Sequence, residues 1–160
     1  MTTPQLDHED LKLTELSYIK INALLLLAII PLSIIGYFLA VSTEPMFFVY
    51  EWSLVVILTS SLLLSISTAV VYTSSLKWLS FSILAFVIQF SLFCLFIGPY
   101  TVYWMFFVYY TAAIGSSVVF VLTLRRGLPF RFMTIVFIIF TIGLTAYMVI
   151  LNSLWGVNWI

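Results

Sequence analysis

The side chains that could perform chemistry in this chain are few, and they are widely separated. The single histidine, His8, lies in the polar N-terminal stretch, and the single cysteine, Cys94, lies inside a long apolar run. Axial haem ligation within a helical bundle normally requires histidine, and a zinc site requires a cluster of histidine, cysteine or acidic ligands. We therefore expect no catalytic residue and no metal site, and no cofactor bound by this chain alone. Contact with a lipid or a quinone is left open.

One polar constellation lies in the middle of apolar sequence. Gln89 is near the centre of the third apolar segment, and counting on from the turn at Gly98 places Tyr109 and Tyr110 at a comparable depth. Buried amides and phenols need hydrogen-bond partners. We expect Gln89 to bond to one of these tyrosines or to a neighbouring subunit. Two interpretations stay open: a bond that only packs helices, or contact with a quinone or a proton-conducting water chain in a partner.

The segments that carry these residues are long and uncharged. The 160 residues are 64% hydrophobic and only 8% charged, whereas roughly a quarter of a soluble domain is charged. A helix needs about 20 mostly apolar residues to cross a bilayer, and backbone amides in lipid must bond within their own segment. The sequence predicts an all-α integral membrane protein with five transmembrane helices. The predicted spans are 21–41, 51–72, 77–97, 102–124 and 132–153, within one membrane domain at 21–160.

The first 20 residues read as a separate N-terminal tail. Thr3 and Pro4 are typical of a helix start, and the apolar residues that follow predict a short amphipathic helix. The tail carries four carboxylates and two lysines, so an anionic membrane surface would repel it. Docking on protein is the interpretation we favour, with a disordered tail as the alternative.

The basic residues predict an orientation. With five crossings, all six of them lie on one side of the membrane, which the positive-inside rule makes cytoplasmic. The N-terminus is then cytoplasmic and the C-terminus outside. Besides Lys12 in the tail, the residues that set this topology are Lys20, Lys77, Arg125, Arg126 and Arg131.

Small residues recur at helical spacing in three of the spans. Such ridges let helices approach closely, and close approach drives association where side chains and lipid are equally apolar. Five helices offer few inward faces, so we expect some ridges to meet another protein, with packing inside the chain as the alternative. The candidate ridges are Ser61, Ser65 and Ala69; Ala112 and Ser116; Gly36 and Ala40; and also Ala113 with Ser117, and Ser60 with Ser67 and Ser74.

These observations favour a non-catalytic accessory subunit of a larger membrane complex. By analogy, the complex is a respiratory one of the terminal-oxidase type, in which this chain braces cofactor-bearing subunits of electron transport. The expected partners are other integral membrane subunits and lipid, without nucleic acid. A prokaryotic plasma membrane is favoured over an organelle inner membrane. The alternative is a small homo-oligomeric channel or carrier for a neutral solute or a lipid.

Overall fold

The computed structural model describes residues 5–71, 76–98, 100–126 and 131–155, and in these ranges its regular structure is helical. A short 3₁₀ helix, Glu44–Met46, joins the first two of five α-helices. The helices are α1 (Gln5–Ser42), α2 (Phe47–Val71), α3 (Leu76–Ile97), α4 (Met105–Arg125) and α5 (Arg131–Leu154).

Each of the five helices contains a segment long and apolar enough to cross a membrane. The mean hydropathy of these segments lies between 1.9 and 2.6, and each has 21 residues or more. The prediction of an all-helical chain with five such helices is confirmed, and the five helices indicate a multi-pass integral membrane protein.

The first helix is longer than the predicted span. It runs for 38 residues from Gln5 to Ser42, so in this structure the tail helix and the first span are one continuous helix. At a rise of 1.5 Å per residue, α1 is about 57 Å long, nearly twice the thickness of the hydrocarbon core. The side chains that would make the tail amphipathic lie outside the described residues.

Helix α1 continues through Pro31. A proline inside a helix leaves the carbonyl four residues earlier without its usual donor, which here is the carbonyl of Leu27. The nearby Ser33 hydroxyl donates to the carbonyl oxygen of Ile29, at 2.8 Å. Ser33 thus makes the local bond to residue i−4 that serine commonly forms in helices.

The connection between α3 and α4 is longer than the predicted turn. The Thr101 hydroxyl donates to the carbonyl oxygens of Phe96 and Gly98, at 2.9 and 3.2 Å, and so satisfies backbone groups at the end of α3. Helix α4 begins at Met105, three residues after the predicted start of the span. Helix α2 differs in the other direction and begins at Phe47, four residues before its predicted start.

The chain divides into two compact units, Met1–Ser80 and Phe81–Ile160. In the first unit α1 packs against α2. In the second unit α4 packs against α5, and the greater part of α3 belongs with them. A buried apolar cluster of the second unit lies toward the end of α3 and the start of α4; its members are Phe96, Met105, Phe106, Tyr109, Ala113 and Met148.

Candidate functional site

Gln89 joins the three helices of the second unit. Its side chain is completely buried. The amide nitrogen Nε2 donates to Tyr109 Oη at 2.9 Å, and Oε1 accepts from Thr141 Oγ1 at 3.1 Å. Gln89 lies on α3, Tyr109 on α4 and Thr141 on α5. Both ends of one amide are therefore used to hold three helices at one level; we call these three residues the Gln89 cluster.

The two tyrosines predicted at this depth have different roles. Tyr109 is completely buried, bonds to Gln89, and has its hydroxyl 3.4 Å from Thr145 Oγ1. The Tyr110 hydroxyl donates to the backbone carbonyl of Met148, at 3.3 Å. The structure thus brings Gln89 and Tyr109 together and directs Tyr110 to α5. Tyr110 belongs to an α4–α5 contact rather than to the Gln89 cluster.

The surroundings of the Gln89 cluster are aromatic. Phe93, one turn after Gln89, has its ring centroid 6.4 Å from that of Tyr109, and Phe86 stacks on Phe137 at 4.7 Å. Hydrogen bonds are electrostatically stronger in such a low-dielectric environment, and an unpaired amide there is costly. The amide, the phenol and the hydroxyls of the cluster are neutral groups. This arrangement can fix helix positions, and it offers donors and acceptors rather than a nucleophile or a base.

A second buried amide was not singled out from the sequence. Asn22 on α1 is 2% exposed, and its Nδ2 donates to Ser65 Oγ at 2.7 Å. Nδ2 also lies 3.4 Å from the carbonyl oxygen of Ser61, and the Ser61 hydroxyl donates to Asn22 Oδ1. We call these three residues the Asn22 cluster. In the first unit the amide of Asn22 joins α1 to α2, as the amide of Gln89 joins three helices in the second unit.

A signal for Asn22 was present in the sequence. Asn22, Gln89 and Asn152 are the only side-chain amides within the five predicted spans. Asn22 was the second residue of its predicted span, where an interfacial amide needs no protein partner. In the structure Asn22 is 2% exposed, so it is a buried amide rather than an interfacial one. A buried amide needs a hydrogen-bond partner.

The predicted ridges of small residues differ in how far they are buried within the chain. Ser61, Ser65 and Ala69 are buried, and two of them belong to the Asn22 cluster. Ser116 is buried and its hydroxyl donates to the carbonyl oxygen of Ala85 on α3, at 3.0 Å. Of the remaining ridge residues, Gly36 and Ala113 are buried and Ala112 is half-buried, Ala40, Ser60, Ser67 and Ser117 are exposed, and Ser74 lies outside the described residues.

Four of the five basic residues that set the predicted topology lie at helix ends. Lys77 is the second residue of α3, Arg125 the last of α4, and Arg131 the first of α5. Arg126 follows α4 directly, whereas Lys20 lies inside the long helix α1, just before the predicted first span. Arg125, Arg126 and Arg131 are all exposed, so the second unit presents three guanidinium groups where α4 ends and α5 begins.

Within the residues that the structure describes, no three His, Cys, Asp or Glu side chains are grouped as metal ligands, and Cys94 is a free, partly buried thiol. In comparisons with protein-family models, curated proteins and solved structures, none matches this chain.

Proposed function

We propose that this chain is a non-catalytic integral subunit that braces the helices of a larger membrane complex. The observation that carries the proposal is the use of Gln89: its amide nitrogen and its amide oxygen both bond within the chain, to Tyr109 and Thr141. A completely buried polar group of the second unit therefore serves to hold α3, α4 and α5 together. A group that handles a substrate would instead present a donor or an acceptor to that substrate.

The two amide clusters support a static role. Separating α1 from α2 would leave Asn22 and Ser65 to find new partners in an apolar medium, and the same holds for Gln89 in the second unit. Lipid supplies no such partners, so each cluster favours one arrangement of its helices. A helix pair or triad held in one arrangement is suited to support other subunits.

Exposed small residues support association with other proteins. Gly115 on α4 and Gly143 on α5 are exposed, and a Cβ added at either position would have no neighbouring atom within 4 Å. Glycine in a membrane-spanning helix lets a second helix approach closely. Helix α1 adds a large outward surface, because only 11% of its most apolar stretch of 18 residues is buried within the chain.

By analogy with small cofactor-free subunits, the complex we favour is a respiratory one of the terminal-oxidase type, with this chain beside the cofactor-bearing subunits. The membrane is then a prokaryotic plasma membrane, with the N-terminus of the chain in the cytoplasm. The partners are integral membrane subunits and lipid.

Purification from native membranes in a mild detergent, followed by mass spectrometry and a visible absorption spectrum, tests the proposal. We expect stoichiometric partner subunits and haem bands. The variant Gly115→Ile adds a bulky side chain where another helix would approach, and it should reduce co-purification. The matched control Val70→Ile enlarges an exposed side chain on α2, which is 74% exposed, and should leave co-purification unchanged.

A colourless oligomer of this chain alone would contradict the proposal. It would favour the alternative, a homo-oligomeric channel or carrier for a neutral solute or a lipid. Ser60 and Ser67, which are exposed on α2, would then line the path. Substituting both serines by alanine would reduce transport in that case and would leave a bracing subunit unaffected.

A further inference from the structure

A long groove runs along the outer surface of the second unit between α4 and α5. Its volume is about 1130 Å³, slightly above the range of roughly 300–1,000 Å³ that is typical of small-molecule sites. The groove is open along its length, and its lining is mostly apolar. The walls include Ile114, Val118 and Val121 from α4, and Ile142, Val149 and Ile150 from α5.

The groove is longer than one leaflet of the hydrocarbon core is thick. On α4 its lining extends from Tyr110 to Arg125, which at 1.5 Å per residue is about 22 Å. Half of the hydrocarbon core is about 15 Å thick. A groove that starts at the end of α4 therefore begins at headgroup level and continues past the depth to which an acyl chain of that leaflet reaches.

The charge of the groove is concentrated at one end. Arg125, the last residue of α4, is the only Lys, Arg, Asp or Glu among the described residues that line the groove, and it is exposed. Arg126 follows it directly, and Arg131 begins α5. A guanidinium group presents several donors in a plane and binds phosphate oxygens in a bidentate manner. The groove thus combines an apolar trough with an anion-binding group at headgroup depth.

We propose that this groove binds an anionic phospholipid, with an acyl chain along α4 and the phosphate at Arg125. A single phospholipid molecule supplies both an acyl chain for the apolar lining and a phosphate for Arg125. A transmembrane helix of a partner would fill the apolar part, but it would complement Arg125 only by placing a carboxylate at the same level. Basic pockets between transmembrane helices are a known setting for acidic headgroups. This site is independent of the respiratory assignment.

Native mass spectrometry of the purified chain tests the site. The chain is mixed with phosphatidylglycerol or with phosphatidylcholine of the same acyl composition, and the retained lipid is counted. We expect the unaltered chain to retain phosphatidylglycerol preferentially. Arg125→Gln should lower that retention about fivefold, which is the effect of one cation near an anionic headgroup. Retention of phosphatidylcholine should change little, and Arg125→Lys should recover much of the phosphatidylglycerol bound.

Two further variants separate the acyl chain from the headgroup. Ala146→Phe fills the groove from α5 and should lower retention of both lipids, whereas Ala40→Phe on exposed α1 should not. Lys20→Gln removes the same charge as Arg125→Gln at a position that does not line the groove, and it should not change retention. Equal retention of the two lipids by the unaltered chain would overturn the proposal. So would unchanged phosphatidylglycerol retention in Arg125→Gln.

Discussion

Asn22 Nδ2 lies 2.7 Å from Ser65 Oγ, although 43 residues separate the two in sequence. The Ser65 hydroxyl in turn donates to the carbonyl oxygen of Ser61, at 2.8 Å, and the Ser61 hydroxyl donates back to Asn22. A single amide on α1 therefore engages two successive turns of α2. The bonds close on themselves, which leaves the polar atoms of this contact paired in a region where lipid would not pair them.

Asn22→Ala should destabilise the contact between α1 and α2. The substitution removes the bonds to Ser65 and Ser61, and hydrogen bonds between membrane helices contribute about 0.6 kcal/mol on average and up to about 1.7. We expect a loss of about 1 kcal/mol, measured by titrating the detergent-solubilised chain with a denaturing detergent. Asn152→Ala, near the end of α5, is the matched control and should change stability by less than half as much. Equal losses from both would contradict a specific Asn22 cluster.

Gln89 and Tyr109 should be energetically coupled. In a double-mutant cycle of Gln89→Leu with Tyr109→Phe, the loss from both changes together should be smaller than the sum of the single losses. We expect a coupling of about 0.6–1.7 kcal/mol, because both changes remove the same 2.9 Å bond. The control cycle combines Gln89→Leu with Tyr110→Phe. Because the Tyr110 hydroxyl bonds to the backbone carbonyl of Met148 and not to Gln89, the coupling in this cycle should be close to zero.

The number and type of elements followed from composition alone. Uncharged runs of about 20 residues have one stable form in lipid, so five helices could be predicted without knowing any contact. The helix ends could not be placed as well, because hydrogen bonds outside the apolar pattern decide them. Thr101, for example, donates to the carbonyl oxygens of Phe96 and Gly98 at the end of α3. Hydropathy does not report that bond.

The polar contacts could be predicted only in part. The depth of Gln89 identified it as a group in need of a partner, and counting from the Gly98 turn found the right region of α4. The choice of Tyr109 over Tyr110 depends on helix rotation, which residue spacing does not give. Thr141 on α5 was missed because threonine is common in the spans and satisfies itself readily. Thr123, for example, donates to the carbonyl of Val119 in its own helix, at 2.9 Å.

The basic residues predict where each terminus lies. A reporter that is active only outside the cytoplasm should be active when it is fused to the C-terminus and inactive when it is fused to the N-terminus. Replacing Arg125, Arg126 and Arg131 together by glutamine removes half of the six cations. Because the remaining cations lie nearer the N-terminus, we expect the fifth span to insert less uniformly, with a mixed C-terminal signal. A C-terminal reporter that is active in the cytoplasm of the unaltered chain would contradict five crossings with this orientation.

Gly36 should tolerate no side chain, in contrast to Gly115. A Cβ at Gly36 would lie 2.5 Å from Tyr50 Cδ2 and 2.8 Å from Tyr50 Cγ, so the whole ring would have to move. Gly36→Ala should therefore destabilise the first unit by about 1–3 kcal/mol, the usual cost of overpacking. Gly115→Ala meets open space and should be neutral or stabilising by up to about 1 kcal/mol, because alanine is the better helix former. Thermal unfolding in detergent measures both variants. Adding Tyr50→Ala to Gly36→Ala should recover part of the loss, and failure to recover any would show that the Tyr50 ring is not the cause.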